Sequence, residues 1–502
     1  MQTNLLEYLE QTVKICPYKT AFTDGVSAMN FREVHDQARA IGTWLAGQQV
    51  RGNVAVLMKK HPRTITAFLG ILYGGGCYVP LDEEMPKQRL ELILKKTKPR
   101  ILICDQHTNL LAQQLHFGGR AVRYEDMAFG IIQEEVLRRI REKHLDIDPA
   151  YVVFTSGSTG VPKGVVGCHR SAIDYTENLC RILPFDKNTV FGNQTPLYFD
   201  ACLKEILPAL KFGATVCLIP RQLFLFPVRL VEYLNTHKIN TLCWVVSALT
   251  MISSTGTLET CIPHCVRTVA FASEVFPIRQ LNLWRRALPG ARFFNLYGPT
   301  ETTGICCWYE VDREFSQEEV LPIGRPFPNT QILLLDETGH TVPQGQPGEI
   351  CIRGTRVTLG YYDDPERTGA AFVQNPLNSQ YPEKIYRTGD IGYYNRQGEL
   401  VFVSRKDHQI KHMGHRIELG EIEAAASACS LVEHACCVYE AERKKLFLYY
   451  TGSVEAADLT EHLRSRLPRY MLPNRIVQLR SMPFTPNGKI DRVAVQKGCT
   501  AD

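Results

Sequence analysis

Up to about residue 300 the chain repeats one unit: a stretch with apolar residues at helical spacing, then a short apolar run of strand length. FREVHDQARAIGTWLAG carries its apolar residues three and four apart and ends in glycine. NVAVLM and PRILICD are compact apolar runs, and LVEYLNTHKINTLCWVV and QLNLWRRALPGARFFNLYG each hold both halves of the unit. Such alternation restricts the fold severely, because neighbouring parallel strands need a crossover long enough to hold a helix. The expected class is α/β, with mixed or largely parallel sheets layered with helices. At 502 residues the chain exceeds what one core holds, so two or more domains are expected.

From about Pro322 to Val403 the pattern changes. ILLLDETGHTVPQGQPGEICIRG and IGYYNRQGELVFVSR read as strand, turn, strand, which predicts a small β-rich subdomain over 322–403. After SRKDHQIK it changes again. ELGEIEAAASACS and AADLTEHLRSRLP read as helices, and ACCVYEAERKKLFLYYTG as a hairpin with a charged turn. A boundary near Arg405–Asp407 therefore divides a large N-terminal domain (1–405) from a small α+β C-terminal domain (406–502). No internal repeat or low-complexity segment interrupts either.

Composition narrows the partners. The net charge is only +5 with no sustained basic block, so nucleic acid is not an expected partner. The N-terminal stretch contains Glu7 and Glu10 and lacks the apolar core of a signal peptide, and no run approaches the roughly 18 apolar residues of a membrane span. The 17 cysteines are odd in number and scattered through apolar text, the usage of reduced, packed thiols in a cytoplasmic protein. CIPHC, at Cys261–Cys265, offers half a zinc site with no second pair at ligand spacing.

The chemistry gathers at TSGSTGVPKG, Thr155 to Gly164, directly after the apolar run Tyr151–Phe154. Its glycines and hydroxyls at a turn leaving a strand, with one cation at Lys163, suit a polyphosphate. Yet the order is not that of a Walker loop. The stretch resembles the phosphate loop of the adenylate-forming superfamily, which includes acyl-CoA ligases, luciferases and the adenylation domains of peptide synthetases. Further motifs resemble that family in order: YVPLDEEMP, NLYGPTETT, YRTGD, SRKDHQIKHMGHRIELGEIE and PNGKIDR. Departures are Tyr73-Gly74-Gly75 for a commoner Ala-Gly, Ser404 for Gly and Met413 for Arg.

The resemblance implies roles for named residues. Thr155, Ser156, Thr159 and Lys163 would hold the β- and γ-phosphates of ATP. Tyr297 would offer a face to adenine, with Asn295 or its neighbours at the amino edge and Thr300 in the same nucleotide-binding set. Asp390, an acceptor when ionised, would take the ribose hydroxyls, and Arg405 ribose or phosphate. Glu301 would hold Mg²⁺, a hard cation suited to oxygen. Lys489 would be the catalytic cation at the α-phosphate, where two anions must meet. Asp407 occupies the family's hinge position, about which the small domain would rotate between two half-reactions. One conformation would present Lys489, and the other would admit a thiol past Gly414.

In YFDACLKE, Asp200 follows an aromatic residue, as in amino-acid-activating members, where it pairs with the substrate ammonium. A buried ammonium needs such a partner. By the same alignment Ala201, Lys204, Val246, Ala270, Ala272, Leu296, Gly304 and Ile305 line a small pocket, apolar except for Lys204. An inward Lys204 suits a side-chain carboxylate. An outward one, forming a solvated helix start with Glu205, suits a small residue such as alanine. Length, single-module layout and LFLFPVRLVEYLN resemble a stand-alone D-alanine–carrier protein ligase, although Ala272-Ser273-Glu274 replaces the usual Cys-Gly-Glu. The expected activity is ATP-dependent formation of an aminoacyl adenylate from D-alanine or another small amino acid, with release of pyrophosphate, followed by transfer to the phosphopantetheine thiol of a separate carrier protein. An acidic amino acid, or an acyl- or aryl-CoA ligase activity, is the alternative. The oligomeric state stays open, with a monomer compatible.

Overall fold

The computed structural model describes residues 2–157, 162–406, 409–441, 443–484 and 490–498. Two large sheets carry the N-terminal part. The first has six strands in the order Arg120–Arg123, Ile101–Cys104, Gly52–Leu57, Gly76–Leu81, Pro149–Thr155, Lys163–Cys168. All its pairings are parallel except the last, where Lys163–Cys168 turns back on Pro149–Thr155. The second has nine strands, and its central six, from Arg292–Tyr297 to Thr20–Thr23, are parallel. Antiparallel partners appear only at its edges. The alternating units form as read: Phe31–Gly47 and Ile278–Ala287 are helices, Thr241–Val245 and Arg292–Tyr297 strands.

Local chemistry fixes the ends. Asn30 caps the helix Phe31–Gly47 through the Glu33 N–H, and the Glu33 side chain returns to the Asn30 N–H, a complete capping box. One continuous core joins both sheets. Val54, Ile103 and Val153 from the first and Phe191, Val216 and Phe294 from the second share it with Phe31, Ile65 and Leu207 of the helices between.

A five-stranded antiparallel sheet follows, built from Thr330–Leu335, Gly348–Gly354, Phe372–Gln374, Lys384–Tyr394 and Leu400–Arg405. From Gln409 on, the chain forms the hairpin Gln409–His412/His415–Glu418 and a three-stranded sheet backed by Leu419–Ser427 and Ala456–Arg464. This part has its own core around Ile422, Leu448 and Leu463. The hinge residue Asp407 lies outside the described residues.

Among the described residues no helix is long and apolar enough to cross a membrane, and no three His, Cys, Asp or Glu are grouped as a metal site. The described cysteines other than Cys436 are free thiols, most of them buried.

Candidate functional site

One cavity opens where several parallel strands of both sheets end. Thr155, Val245, Ala272, Gln194 and Gly298 each close or directly follow a strand, and all five line it. The carboxyl edge of parallel strands is where α/β folds place ligands, because the loops there are free of the ladder. The loop after Arg292–Tyr297 folds back tightly. A Cβ on Gly298 would sit 2.2 Å from the Gly304 carbonyl oxygen, so the glycine of NLYGPT is a steric requirement.

At the phosphate loop, Thr155 Oγ1 is buried with no hydrogen-bond partner. Ser156 Oγ donates to the Arg416 carbonyl at 2.7 Å, and the Gly157 N–H donates to a Glu421 carboxylate oxygen at 3.0 Å. Thr159 lies outside the described residues. Lys163 Nζ is 3.5 Å from Glu301, 3.9 Å from Glu418 and 5.2 Å from the centre of the Tyr361 ring. Burial lowers its pKa to about 8.

Glu301, on the turn Thr300–Thr302, is wholly buried. Its carboxylate accepts from Arg416 Nη1 at 2.8 and 3.1 Å and from the Tyr361 hydroxyl at 2.8 Å. Burial alone would raise its pKa, but Arg416 and Lys163 outweigh that and hold it below the carboxylate range. Asp390 faces Arg405 across two paired strands and forms an ion pair with it, while its other oxygen accepts from Tyr297 at 2.5 Å. Of the expected nucleotide and metal residues, Thr155, Ser156, Thr300, Asp390 and Arg405 line the cavity, whereas Asn295, Tyr297, Lys163 and Glu301 do not. The Asn295 amide donates to the Pro322 carbonyl at 2.8 Å, in the segment leading to the β subdomain.

The second end of the cavity holds Asp200, 8% exposed, whose Oδ2 is buried without a partner. Burial pushes its pKa up to about 6, against the Thr300 hydroxyl and Lys204, which act in the opposite direction. Lys204 lies one helical turn further on, lines the same cavity and is 2% exposed. It forms no hydrogen bond or ion pair with the described residues. Glu205 is buried too, on Asn193, with its pKa raised by burial to about 7. The solvated helix start is therefore excluded: Leu203–Phe212 is a core helix, all but two of its residues buried.

Ala201, Ala272, Gly304 and Ile305 complete the wall. Val246, Ala270 and Leu296 do not line it; they are buried in core clusters. Val245, the last residue of the strand Thr241–Val245, takes the wall position expected at about Val246. Ala270 lies deeper on its strand than Ala272, and Leu296 is Ala272's partner on the next strand.

The C-terminal part contributes Lys411, Met413, Gly414, His415, Arg416 and Tyr470 to the wall. The Gln409–Glu418 hairpin is seated in the site. The Gly414 N–H donates to Glu274 Oε1 at 3.0 Å, and Glu274 Oε2 accepts from the Ser247 N–H at 2.8 Å. His415 stacks on Tyr470 with centroids 3.8 Å apart, and Lys411 Nζ stands 5.5 Å from the Tyr297 ring centre. Lys489 lies outside the described residues. Its neighbours Phe484 and Ile490 bridge each other, and Ile490 packs in a cluster with no member on the cavity wall.

A family profile described as AMP-binding enzyme matches residues 9–362, and its C-terminal domain profile matches 421–489. The chain belongs to the AMP-binding enzyme family. Tyrocidine synthase 1 of Brevibacillus parabrevis is 31% identical over 506 residues, covering 97% of this chain and 44% of the relative. The chain therefore spans under half of that curated relative. Among solved structures, IdnL1 is 26% identical with a TM-score of 0.81, covering 96% of this chain and 99% of that one. Holo-AB3403, a four-domain nonribosomal peptide synthetase bound to AMP and glycine, is 27% identical with a TM-score of 0.71, covering 98% and 36%.

In this AMP-binding enzyme several site residues escape sequence reasoning. His415 and Arg416 lie inside SRKDHQIKHMGHRIELGEIE, and Ser273 and Glu274 inside Ala272-Ser273-Glu274, yet the motifs assign none of them a role; Tyr470 lies in none of the quoted motifs. Ser273 stands on the wall with a φ of +79°, a left-handed backbone costing about 1–2 kcal/mol for a residue with a Cβ. A clue was present in the sequence: the usual family residue there is glycine.

Proposed function

We propose that this AMP-binding enzyme activates an amino acid with ATP and passes it as a thioester to the phosphopantetheine arm of a carrier protein. The carrying observation is Asp200, a buried carboxylate with an unpartnered oxygen on the wall of the nucleotide cavity. An amino acid's α-ammonium supplies the missing partner, whereas a plain acyl or aryl acid leaves it unmet. The amino acid named with AMP for holo-AB3403 supports the same reading.

The phosphate end fits ATP, since Thr155 Oγ1 is an orphaned donor beside the Gly157 N–H and Lys163. With Asp200 holding the ammonium, the substrate carboxylate oxygen attacks the α-phosphorus, the bond to the β-phosphate breaks, and pyrophosphate leaves. Thr155, Ser156, Thr159 and Lys163 hold the departing phosphates, and Asp390 and Arg405 hold the ribose. Glu301 would hold Mg²⁺, which supplies neutralising charge on the phosphates. Lys489 supplies the cation at the α-phosphate. In the second step a thiolate attacks the carbonyl carbon and AMP leaves; the seated hairpin with Gly414 belongs to this step. The enzyme works in the cytoplasm, where ATP and reduced thiols coexist.

The burial of Lys204 in the cavity favours an acidic amino acid, whose side-chain carboxylate would pair with it. A small residue such as D-alanine is the second reading, favoured by the short wall of Ala201, Ala272 and Gly304. ATP–pyrophosphate exchange across both hands of the amino acids decides. Aspartate or glutamate should lead, dependence on alanine supports the second reading, and exchange with simple carboxylic acids alone removes the amino-acid assignment.

A further inference from the structure

Arg89 stands outside every motif discussed above, on the helix Lys87–Thr97, and is only 4% exposed. Its Nη1 forms an ion pair with Glu421 Oε1, on the helix Leu419–Ser427 of the C-terminal part. The other oxygen of the same carboxylate accepts the Gly157 N–H at 3.0 Å. One carboxylate thus bridges the phosphate loop and a buried guanidinium, so these two donors lie a carboxylate's width apart. Arg89 Nε is buried as well and has no hydrogen-bond partner. The guanidinium therefore holds capacity for a further anionic oxygen.

Resting on the nucleotide reading above, we propose that Arg89 is a polyphosphate-binding residue, and that Glu421 and the terminal phosphate of ATP or pyrophosphate are alternative anions for one pair of donors. Arg89 and Gly157 belong to the N-terminal part, whereas Glu421 moves with the C-terminal part. When the hairpin leaves, both donors lose their anion together, and a buried guanidinium without a counter-charge is strongly unfavourable. A phosphate presents paired oxygens to a guanidinium as a carboxylate does, and restores the balance. Two further ion pairs join the two parts, Arg416 with Glu301 and Glu418 with Lys163. Pyrophosphate must then depart before the hairpin can seat.

The test is calorimetric titration of inorganic pyrophosphate with magnesium into the full chain, with AMP as a second titrant. Arg89→Met should weaken pyrophosphate binding at least tenfold, Arg89→Lys less, and Glu421→Gln should tighten it several-fold. AMP affinity should stay constant throughout, which also shows that each variant is folded. If Arg89 were only a latch for Glu421, Arg89→Met would release the Gly157 N–H and tighten pyrophosphate; that result, or no change, overturns the proposal. Should Arg89→Met fail to fold, Glu421→Gln that leaves pyrophosphate affinity unaltered overturns it equally. Wild-type protein that binds AMP but not pyrophosphate defeats Arg89's role alone. Binding of neither defeats the nucleotide reading as well.

Discussion

Asp200 and Lys204 place opposite charges on one wall, and each makes a prediction. The raised pKa of Asp200 means that a proton competes with the substrate ammonium below about pH 6. The KM for the amino acid should climb as pH falls through that value, while the KM for ATP changes less. The same shift bears on stability. A carboxyl whose folded pKa lies above its unfolded value favours folding when protonated, and that contribution is lost as pH rises through about 6. Asp200→Asn should therefore melt higher than wild type at pH 8, by up to about 3 kcal/mol in the absence of substrate, with the gain fading toward pH 4. It should also cost roughly 3–5 kcal/mol in amino-acid activation. An unchanged exchange rate would refute its assignment to the ammonium. Lys204→Ala should cut activation of an acidic substrate by roughly 10- to 150-fold and spare small apolar ones, as exchange assays on both proteins will show. At this scale the sequence exposes residues within contiguous motifs, such as Glu301 and Lys163. It conceals Arg89, whose partner is 332 positions away, because nothing local records that distance.

The decisive element is the Gln409–Glu418 hairpin. Its strands were not distinguished in the sequence, where alternation is masked by charged residues that turn out to be pairing groups, such as the half-buried Arg416 and the buried Glu418. Gly414 at its tip has a φ of +78°, and an added Cβ would come 2.6 Å from Val245. Both facts forbid a side chain when the hairpin is seated. Gly414→Ala should therefore retain ATP–pyrophosphate exchange and slow transfer to a phosphopantetheine thiol by about tenfold or more, equal to about 1.4 kcal/mol of barrier. Single-turnover transfer from preformed adenylate measures this directly; loss of exchange with intact transfer would reverse the assignment. The helices and parallel strands, by contrast, were legible as elements, because period and length distinguish them. Val246 shows the limit, since a strand end cannot be read to one residue and the wall position passed to Val245.

For the whole molecule, alternation of helix and strand was enough to predict layered parallel sheets, but not their order, which long-range packing decides. Nor could it predict that one core would run through both large sheets. The separate core of the C-terminal part agrees with a unit that moves as a body. Lys489→Ala should accordingly lower adenylation by orders of magnitude while thiol transfer from preformed adenylate survives; equal loss of both would rule out two working conformations. The distribution of thiols has a practical consequence. Cys77 and Cys104 lie in the six-stranded sheet, Cys217 and Cys243 in the nine-stranded one, Cys351 in the β subdomain and Cys437 in the C-terminal part, all buried and free. Burial holds these thiols protonated, so an alkylating reagent reaches them only through opening of the surrounding structure. Pulsed alkylation in rising urea, read by peptide mass, would make the chain its own clock and report the order in which its layers come apart.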